Sequence, residues 1–438
     1  MRASTAAVVL VALQAAGSAA LAGQDAATIL DLADTHWRWQ RASRPAVVHA
    51  ADGPLRTLAG KEIAPADAVR ITPGLPADWA AVDCDDQTWP RTSGRRLGGV
   101  GFHGVTTGVV RLRGKFAVTD PSAVRGLTLE MTFRGGVVVC LNGTEVARAS
   151  LPDGELAPGA AALPYPDEAF LDAKGKLLPE VNPYRIKHMP ADARKALLAR
   201  LARRDRRRQP TPVATRLLRK GVNVLAIEVH RSDYHPKATT FIGRKAKQKW
   251  VPCGLSSLRL AAIGGGVRPN CSRPTGLQVW NCDRNDRLSG AEYGDPNEPL
   301  RPVELVTARN GVAAGRVVVS STGPIRGLKA RAGALTASAG DGKIAPANVT
   351  VLYETRSLNK WFCRLSPTAP AEVAVPKARG AAAMQPVWVS VQVPRDAAPG
   401  DYEGSLTVTV GGAKDVVVPV RLHVARWTLP AVTVSDPS

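Results

Sequence analysis

The sequence predicts an all-β protein: two consecutive antiparallel β-sandwiches with one short helical insertion. Three observations carry that expectation. Apolar and polar residues alternate with period two, as in Leu127, Leu129, Met131 and Phe133 against Thr128, Glu130, Thr132 and Arg134. Turn formers are abundant, 40 Gly and 34 Pro in 438 residues, which favours short strands over helices. One stretch alone, Arg185 to Arg208, carries a convincing helical pattern.

The chain opens on an address. Arg2 supplies a positive start, Ala6 to Ala16 is a short apolar run, and Ala20-Leu21-Ala22 fits the small-residue cleavage pattern of a secretory signal peptide over residues 1–22. The run is too short to span a bilayer well, and an uncleaved anchor is the alternative. Export to the periplasm, cell surface or medium is the expectation. About 415 residues then remain, enough for two or three domains with real cores.

The first domain is expected over residues 25–265. Gly135-Gly136 ends the strand around Leu129, and "VVVCLNGTEVAR" follows. Asn142-Gly143 tolerates positive φ at both turn positions, a strong hairpin signal. Asn142-Gly143-Thr144 also fits a glycosylation acceptor, although the turn accounts for these residues by itself. From about 152 to 215 the chain is Pro-rich and then Arg-rich, and reads as a long insertion between two strands of one sheet. Within it, Pro190 and Asp192 open a helix with Leu197, Leu198 and Leu201 on one stripe. Asn223 to His230 is a strand, and "GLSSLRLAAIGGG" closes the unit. "VRPNCSRPTG" after it reads as a linker.

The second domain is expected over 276–430. Val317, Val318 and Val319 form a short run. Val387, Val389, Val391 and Val393 alternate with Trp388, Ser390 and Gln392. Leu406, Val408 and Val410 face one way, Gly411-Gly412 turns, and Val416 to Val424 returns. Pro399-Gly400 suits a type II turn, with Tyr402 packed at the corner. The size is that of an immunoglobulin-like sandwich. Residues 431–438 are read as the start of a linker.

The formal net charge is +21. Such a balance suits anionic polymers or membrane surfaces. Arg203, Arg204, Arg206, Arg207 and Arg208 are the candidates for an anionic-polymer patch; a solvated surface helix is the plainer reading. The chain shows no RNP-like aromatics, no zinc finger and no Gly-rich phosphate loop before a helix, so nucleic acid is not expected. Six cysteines, Cys84, Cys140, Cys253, Cys271, Cys282 and Cys363, allow 15 pairings after export, or remain as buried thiols. No C-x-x-C motif is present, which argues against a zinc ribbon.

Certain stretches carry a resemblance. "DCDDQTWPRTSGRRLGG", "VVRLRGKFAV", "VVVCLNGTEVAR" and "GVNVLAIEVH", in that order, resemble the galactose-binding-like jelly rolls attached to bacterial glycoside hydrolases. "ELVTARNGVAAGRVVVSSTGPIRGL", "VPRDAAPGDYEGSLTV" and "HVARWTLP" resemble the N-terminal β-sandwich of glycoside hydrolase family 123. The resemblance implies that a catalytic (β/α)-barrel follows the sandwich. That barrel releases N-acetylgalactosamine using the substrate's own 2-acetamido group, assisted by an adjacent Asp-Glu pair. A barrel needs about 200 residues or more of strand-helix alternation, and none is legible here. No catalytic residue is therefore carried over, no cofactor is implied beyond a structural calcium left open, and the expected partners are a glycan or polysaccharide and a catalytic barrel on the same gene or a separate chain. The expected role is accessory, carbohydrate-binding or scaffolding. The alternatives are a fragment of an N-acetylgalactosaminidase and a binder of anionic polymers.

Sugar sites stack aromatic rings against the sugar face, with polar groups nearby. Tyr234 and Trp250, in the loop after His230, and Trp37 and Trp39, in "THWRWQ", are the glycan-contact candidates; core packing is the competing reading. Trp89, Trp280, Trp361 and Trp427 read as structural. His230, Asp233 and His235 stand close enough for a metal, but no further ligand is evident, and His230 as a strand end with the rest in a loop at the sandwich edge is the preferred reading. Asp167-Glu168, in the Pro-rich insertion, reads as a solvated loop pair, and Asp85-Asp86 as a self-capped turn.

Overall fold

Alternation decides the layering. A strand whose odd residues are apolar must lay that face on another sheet, and both halves of the chain do so. The computed structural model describes residues 26–48, 54–74, 76–97, 104–178, 187–239, 241–242, 245–246, 250–286, 288, 290–356, 363–378 and 380–430. The signal-like residues 1–22, the terminal 431–438 and Trp361 lie outside them. The chain divides into two units after Ser272.

The first unit holds β1 (Ala27–Asp31), β2 (His36–Ser43), β3 (Arg91–Ser93), β4 (Thr107–Val118), β5 (Val124–Arg134), β6 (Gly136–Leu141), β7 (Thr144–Ala149), β8 (Arg206–Pro212), β9 (Gly221–His230), β10 (Phe241–Ile242), β11 (Lys245–Ala246), β12 (Gly254–Gly264) and β13 (Val267–Arg268). One sheet runs β1-β12-β5-β8; the other runs β3-β2-β4-β9-β6-β7, with β13 beside β4. Leu129, Met131, Phe133 and Leu260 from the first meet Leu112, Phe116, Val137 and Ile227 from the second. Trp37 lies fully buried in that core, where a side chain at Gly114 would collide with its ring at 2.5 Å.

The Asn-Gly turn is present as expected, with Asn142 at φ 53 and Gly143 at φ 85. It also does more than turn. The Asn142 amide donates to Asn223 Oδ1 at 2.7 Å and to the Leu217 carbonyl, and its oxygen accepts from Val224 N–H at 2.9 Å. The hairpin is thereby fastened to β9. An Asn committed in this way has no amide to offer for glycosylation.

Two sequence boundaries are corrected. The insertion ends before β8, because Arg206–Pro212 pairs with β5. The presumed linker begins later, because Val267–Arg268 pairs with β4, and buried Asn270 bonds the Ile29 and Lys115 carbonyls. Short polar strands of this kind carry no apolar alternation, so pairing alone reveals them. The helix Ala191–Ala202 forms behind Pro190, but none of its residues is buried, and Leu198 is 47% exposed. Its leucine stripe is therefore not a core face.

The Asp-rich turn divides its labour. Asp85 caps the turn, its carboxylate accepting from Gln87 N–H at 2.9 Å. Asp86 instead points inward and accepts from Arg113 Nε and Lys115 Nζ, both at 2.8 Å. Trp79 and Trp89 then cover Val224, Ala226 and Cys140 on the outer face of the larger sheet.

The second unit holds β14 (Leu277–Cys282), β15 (Val303–Arg309), β16 (Val312–Ser321), β17 (Ile325–Arg326), β18 (Lys329–Ala332), β19 (Leu335–Ala337), β20 (Lys343–Ile344), β21 (Val349–Arg356), β22 (Cys363–Ser366), β23 (Glu372–Val373), β24 (Ala383–Gln392), β25 (Gly400–Thr409) and β26 (Val416–Thr428). Its sheets run β14-β16-β24-β21-β22 and β15-β26-β25-β19-β20, with β18 beside β25 and a small β17-β23 pair. Val317, Val319, Val387, Val389 and Val391 pack against Leu406, Val408, Val418, Val420 and Leu422. One pair departs from the antiparallel expectation: β15 runs parallel to β26, from Val303 opposite Val420. Tyr402 holds its corner, the hydroxyl donating to the Ala398 carbonyl at 2.8 Å. Trp280 bonds Ser320 Oγ from a half-buried place, whereas Trp427 is 61% exposed and so is no core residue. Among the described residues no run of parallel strands alternates with helices, and no barrel is present.

Removing one member of a buried ion pair leaves an uncompensated charge, at a cost of about 3–5 kcal/mol. Arg113 has no exposed side-chain surface and Asp86 only 5%. In urea titrations of the full chain, Asp86→Ala is expected to destabilise the first unit by about that amount, and Asp85→Ala by about 1 kcal/mol or less. Equal effects would contradict the division of labour.

Candidate functional site

The residues with chemical potential gather where the insertion lies against the loop after β9. Short bridges stitch the two together. Ala162 of the insertion pairs with Ser232, and Ser232 Oγ donates to the Leu163 carbonyl at 2.8 Å; on the loop's other side Val48, beyond β2, pairs with Tyr234. A satellite core forms beneath, with Tyr165, Phe170 and Leu171 of the insertion packed on Tyr234, Ala238 and Trp250. Trp250 meets Tyr165 and Phe170 edge-on at centroid distances of 5.1 and 4.9 Å.

Above this core lies a depression of about 160 Å3. Pro164, Tyr165, Asp167 and Phe170 line it from the insertion; Asp233, His235 and Pro236 line it from the loop. Asp233 is held by Arg44 Nη2 at 2.5 Å. His235 Nε2 lies 3.2 Å from Asp167 Oδ1. The Lys237 backbone N–H donates to His235 Nδ1 at 3.1 Å, so Nδ1 is the acceptor and the proton sits on Nε2, aimed at Asp167. An Asp-His pair resembles the basic half of a catalytic triad, in which the second nitrogen receives a proton from the nucleophile. Here that nitrogen is taken by the backbone. The arrangement suits binding, not proton abstraction.

The sequence candidates fall out differently. Tyr234 is fully buried, its hydroxyl donating to the Val105 carbonyl at 3.0 Å, and burial raises its pKa. Trp37 is equally buried, its Nε1 donating to the Leu32 carbonyl at 3.2 Å. Trp250 is buried between Phe170 and the Arg204 guanidinium, 4.6 Å from its ring. None of these three presents a ring face to a glycan. Trp39 is half-buried against the first core and alone keeps partly exposed surface. Aromatic residues in loops signal core and contact alike, and burial separates the two.

His230, Asp233 and His235 do not converge. His230 is buried, its Nδ1 facing the Ala160 carbonyl at 2.9 Å and its Nε2 facing Glu228 at 2.5 Å. Asp233 turns to Arg44 and His235 to Asp167, so the three diverge. Among the described residues no group of three His, Cys, Asp or Glu is placed to hold an ion. Cys84, Cys140 and Cys253 are buried thiols, and burial pushes Cys253 up to about 12.

Sequence reasoning set Asp167 aside as a solvated loop residue. Its side chain is indeed 74% exposed, yet it meets His235 across 68 residues of chain. Tyr165 and Phe170 were not singled out at all, and no local signal distinguishes them.

The Arg-rich stretch is not one patch. Arg203 and Arg207 are exposed. Arg204 is buried, donates to the Ala169 carbonyl at 2.9 Å, and burial lowers it to about 10. Arg206 lies over Tyr165 at 3.9 Å and donates to the carbonyls of Gly135, Leu163 and Pro164. Arg208 donates to the Arg148 carbonyl at 3.3 Å. Arg206 to Arg208 belong to strand β8, not to the helix.

Residues 372–410 match the family model of the glycoside hydrolase 123 N-terminal domain. The match spans β23, β24 and β25 and contains "VPRDAAPGDYEGSLTV", which bears out the family 123 resemblance over that segment. No curated protein matches. Similar solved structures include a family 123 glycoside hydrolase from Clostridium perfringens, 17% identical, covering 36% of this chain and 28% of that one, with a TM-score of 0.27. A β-glucuronidase from Bacteroides uniformis is 10% identical over 91% of this chain and 32% of its own, with a TM-score of 0.24. One from Bifidobacterium dentium is 9% identical over 89% and 48%, with a TM-score of 0.22. The chain spans less than half the length of each.

Inward arginines act as packing groups and outward ones as surface charge. Arg204→Ala is expected to lower the thermal midpoint by a few degrees without changing salt elution from heparin. Arg203→Ala combined with Arg207→Ala is expected to leave the midpoint unchanged and to elute at lower salt. A shift in elution for Arg204→Ala as large as for the pair would contradict this sorting.

Proposed function

We propose that this chain is the ancillary β-sandwich portion of a family 123-type glycoside hydrolase, exported and acting by contact with carbohydrate rather than by chemistry. The carrying observation is the match of residues 372–410 to the family's N-terminal domain, a segment that supplies β24 to one sheet and β25 to the other, with both strands in the shared core. The site geometry supports binding over catalysis, since His235 has its second nitrogen occupied by the backbone. Contact is expected to be weak and confined to the surface, because the buried aromatics offer no deep stacking cleft.

The purified chain is expected to bind at least one of a panel of N-acetylgalactosamine-terminated glycans and polysaccharides in calorimetric titration, with millimolar to high micromolar Kd. It is expected not to turn over a chromogenic N-acetylgalactosaminide. Silence across the whole panel would count against the glycan reading. Turnover would favour the second reading, an N-acetylgalactosaminidase, which the same family match supports through the resemblance of its front sandwich. Arg203 and Arg207 leave an anionic-polymer role as the third reading, decided by the heparin comparison above.

Export rests on the signal-like Arg2 to Ala22. N-terminal sequencing of the secreted product is expected to begin at Gly23; retention of Met1 on the mature protein would refute cleavage.

A further inference from the structure

We infer that the depression between the insertion and the loop after β9 holds a single neutral sugar ring, bound through its hydroxyls by Asp233 and Asp167. This rests on the glycan reading above and gives it a location. Size is the first ground. At about 160 Å3 the depression falls below the roughly 300–1,000 Å3 of pockets that enclose drug-sized ligands, and suits one ring.

Anchored acceptors are the second. Asp233 commits Oδ1 to Arg44, whose guanidinium is itself buried and bonded to the Gly159 carbonyl at 3.0 Å. Its Oδ2 has no partner among the described residues. Asp167 lines the depression too, with Oδ1 3.2 Å from His235 and a side chain that is 74% exposed. Asp233 is thus held by one oxygen and offers the other, and Asp167 adds a solvent-facing carboxylate beside it. Such pre-organised, charged acceptors are strong partners for hydroxyl donors and lose little freedom on binding.

The walls are the third ground. Pro164, Pro236 and the edges of Tyr165 and Phe170 give apolar surface for the C–H side of a ring. Arg44 balances Asp233, so Asp167 leaves the lining net negative; this disfavours a carboxylated or sulfated sugar and favours a neutral one.

The test uses the full chain in EDTA, titrated calorimetrically with galactose, N-acetylgalactosamine, glucose and glucuronate. Asp167→Ala removes one acceptor, and Asp167→Trp fills the mouth; the exposed side chain makes both compatible with folding, which equal thermal midpoints will verify. The wild type is expected to bind a neutral sugar with millimolar Kd and glucuronate at least about tenfold more weakly. Asp167→Ala is expected to weaken binding by about tenfold or more, and Asp167→Trp to abolish it. If the wild type binds sugar and both variants bind it equally, the location is wrong and the glycan reading stands. If the wild type binds no sugar, the glycan reading fails and takes the site with it. Tighter binding of glucuronate overturns the neutral-sugar assignment. Binding that appears only with added calcium, or calcium alone giving heat that Asp167→Ala removes, makes this a cation site instead.

Discussion

A guanidinium group cannot be left dry. Burying one without hydrogen bonds costs more than most packing returns, so each buried arginine dictates what must lie around it. Arg44, Arg113 and Arg231 are among the largest fully buried side chains. Their Nη groups are satisfied chiefly by backbone carbonyls of loops, while the Nε of Arg44 and of Arg231 has no partner among the described residues. Arg113 draws the turn at Trp79, Ala81 and Cys84 onto the sheet, with Asp86 balancing its charge. Arg231 gathers the carbonyls of Arg44, Pro45, Val105 and Thr107. The second unit repeats the device: Arg316 binds the carbonyls of Asp283 and Asp286 and the Glu354 carboxylate, over the Trp388 ring. Long connections thus lie flat and ordered on the sandwiches because charged groups beneath them need oxygen.

This bears directly on the candidate site. The insertion contributes a wall because Arg44 reaches the Gly159 carbonyl, and Arg204 and Arg206 reach those of Ala169, Leu163 and Pro164. The same Arg44 fixes Asp233 at the lining. Among the described residues seven arginines are buried, so part of what the net charge of +21 suggests as surface positivity is spent inside. Charge counts measure composition, and only burial tells which charges a partner can meet.

Legibility followed periodicity. Leu129 to Phe133, Val387 to Val393 and Val418 to Val424 announced their buried faces, because a strand's side chains must alternate whatever it packs upon. Asn142-Gly143 announced its turn, because positive φ is a local property. Tyr402 was placed at its corner by the Pro-Gly beside it. Elements without an apolar rhythm stayed hidden: β8 is an Arg- and Pro-containing edge strand, and β13 has two residues. The parallel β15–β26 pair was equally invisible, since direction depends on how distant strands are brought together.

An all-β chain, its principal strands, its tight turns and a family 123 resemblance that stands over residues 372–410 were legible in residue order. Those properties reside in neighbours along the chain, where sterics and alternation act. The tertiary structure alone decided that Tyr234, Trp250 and Trp37 are core, that Arg204 and Arg206 turn inward, and that Asp167 meets His235 beside an anchored Asp233. Burial and pairing across dozens of residues depend on which surfaces close over one another, and local pattern carries no record of that.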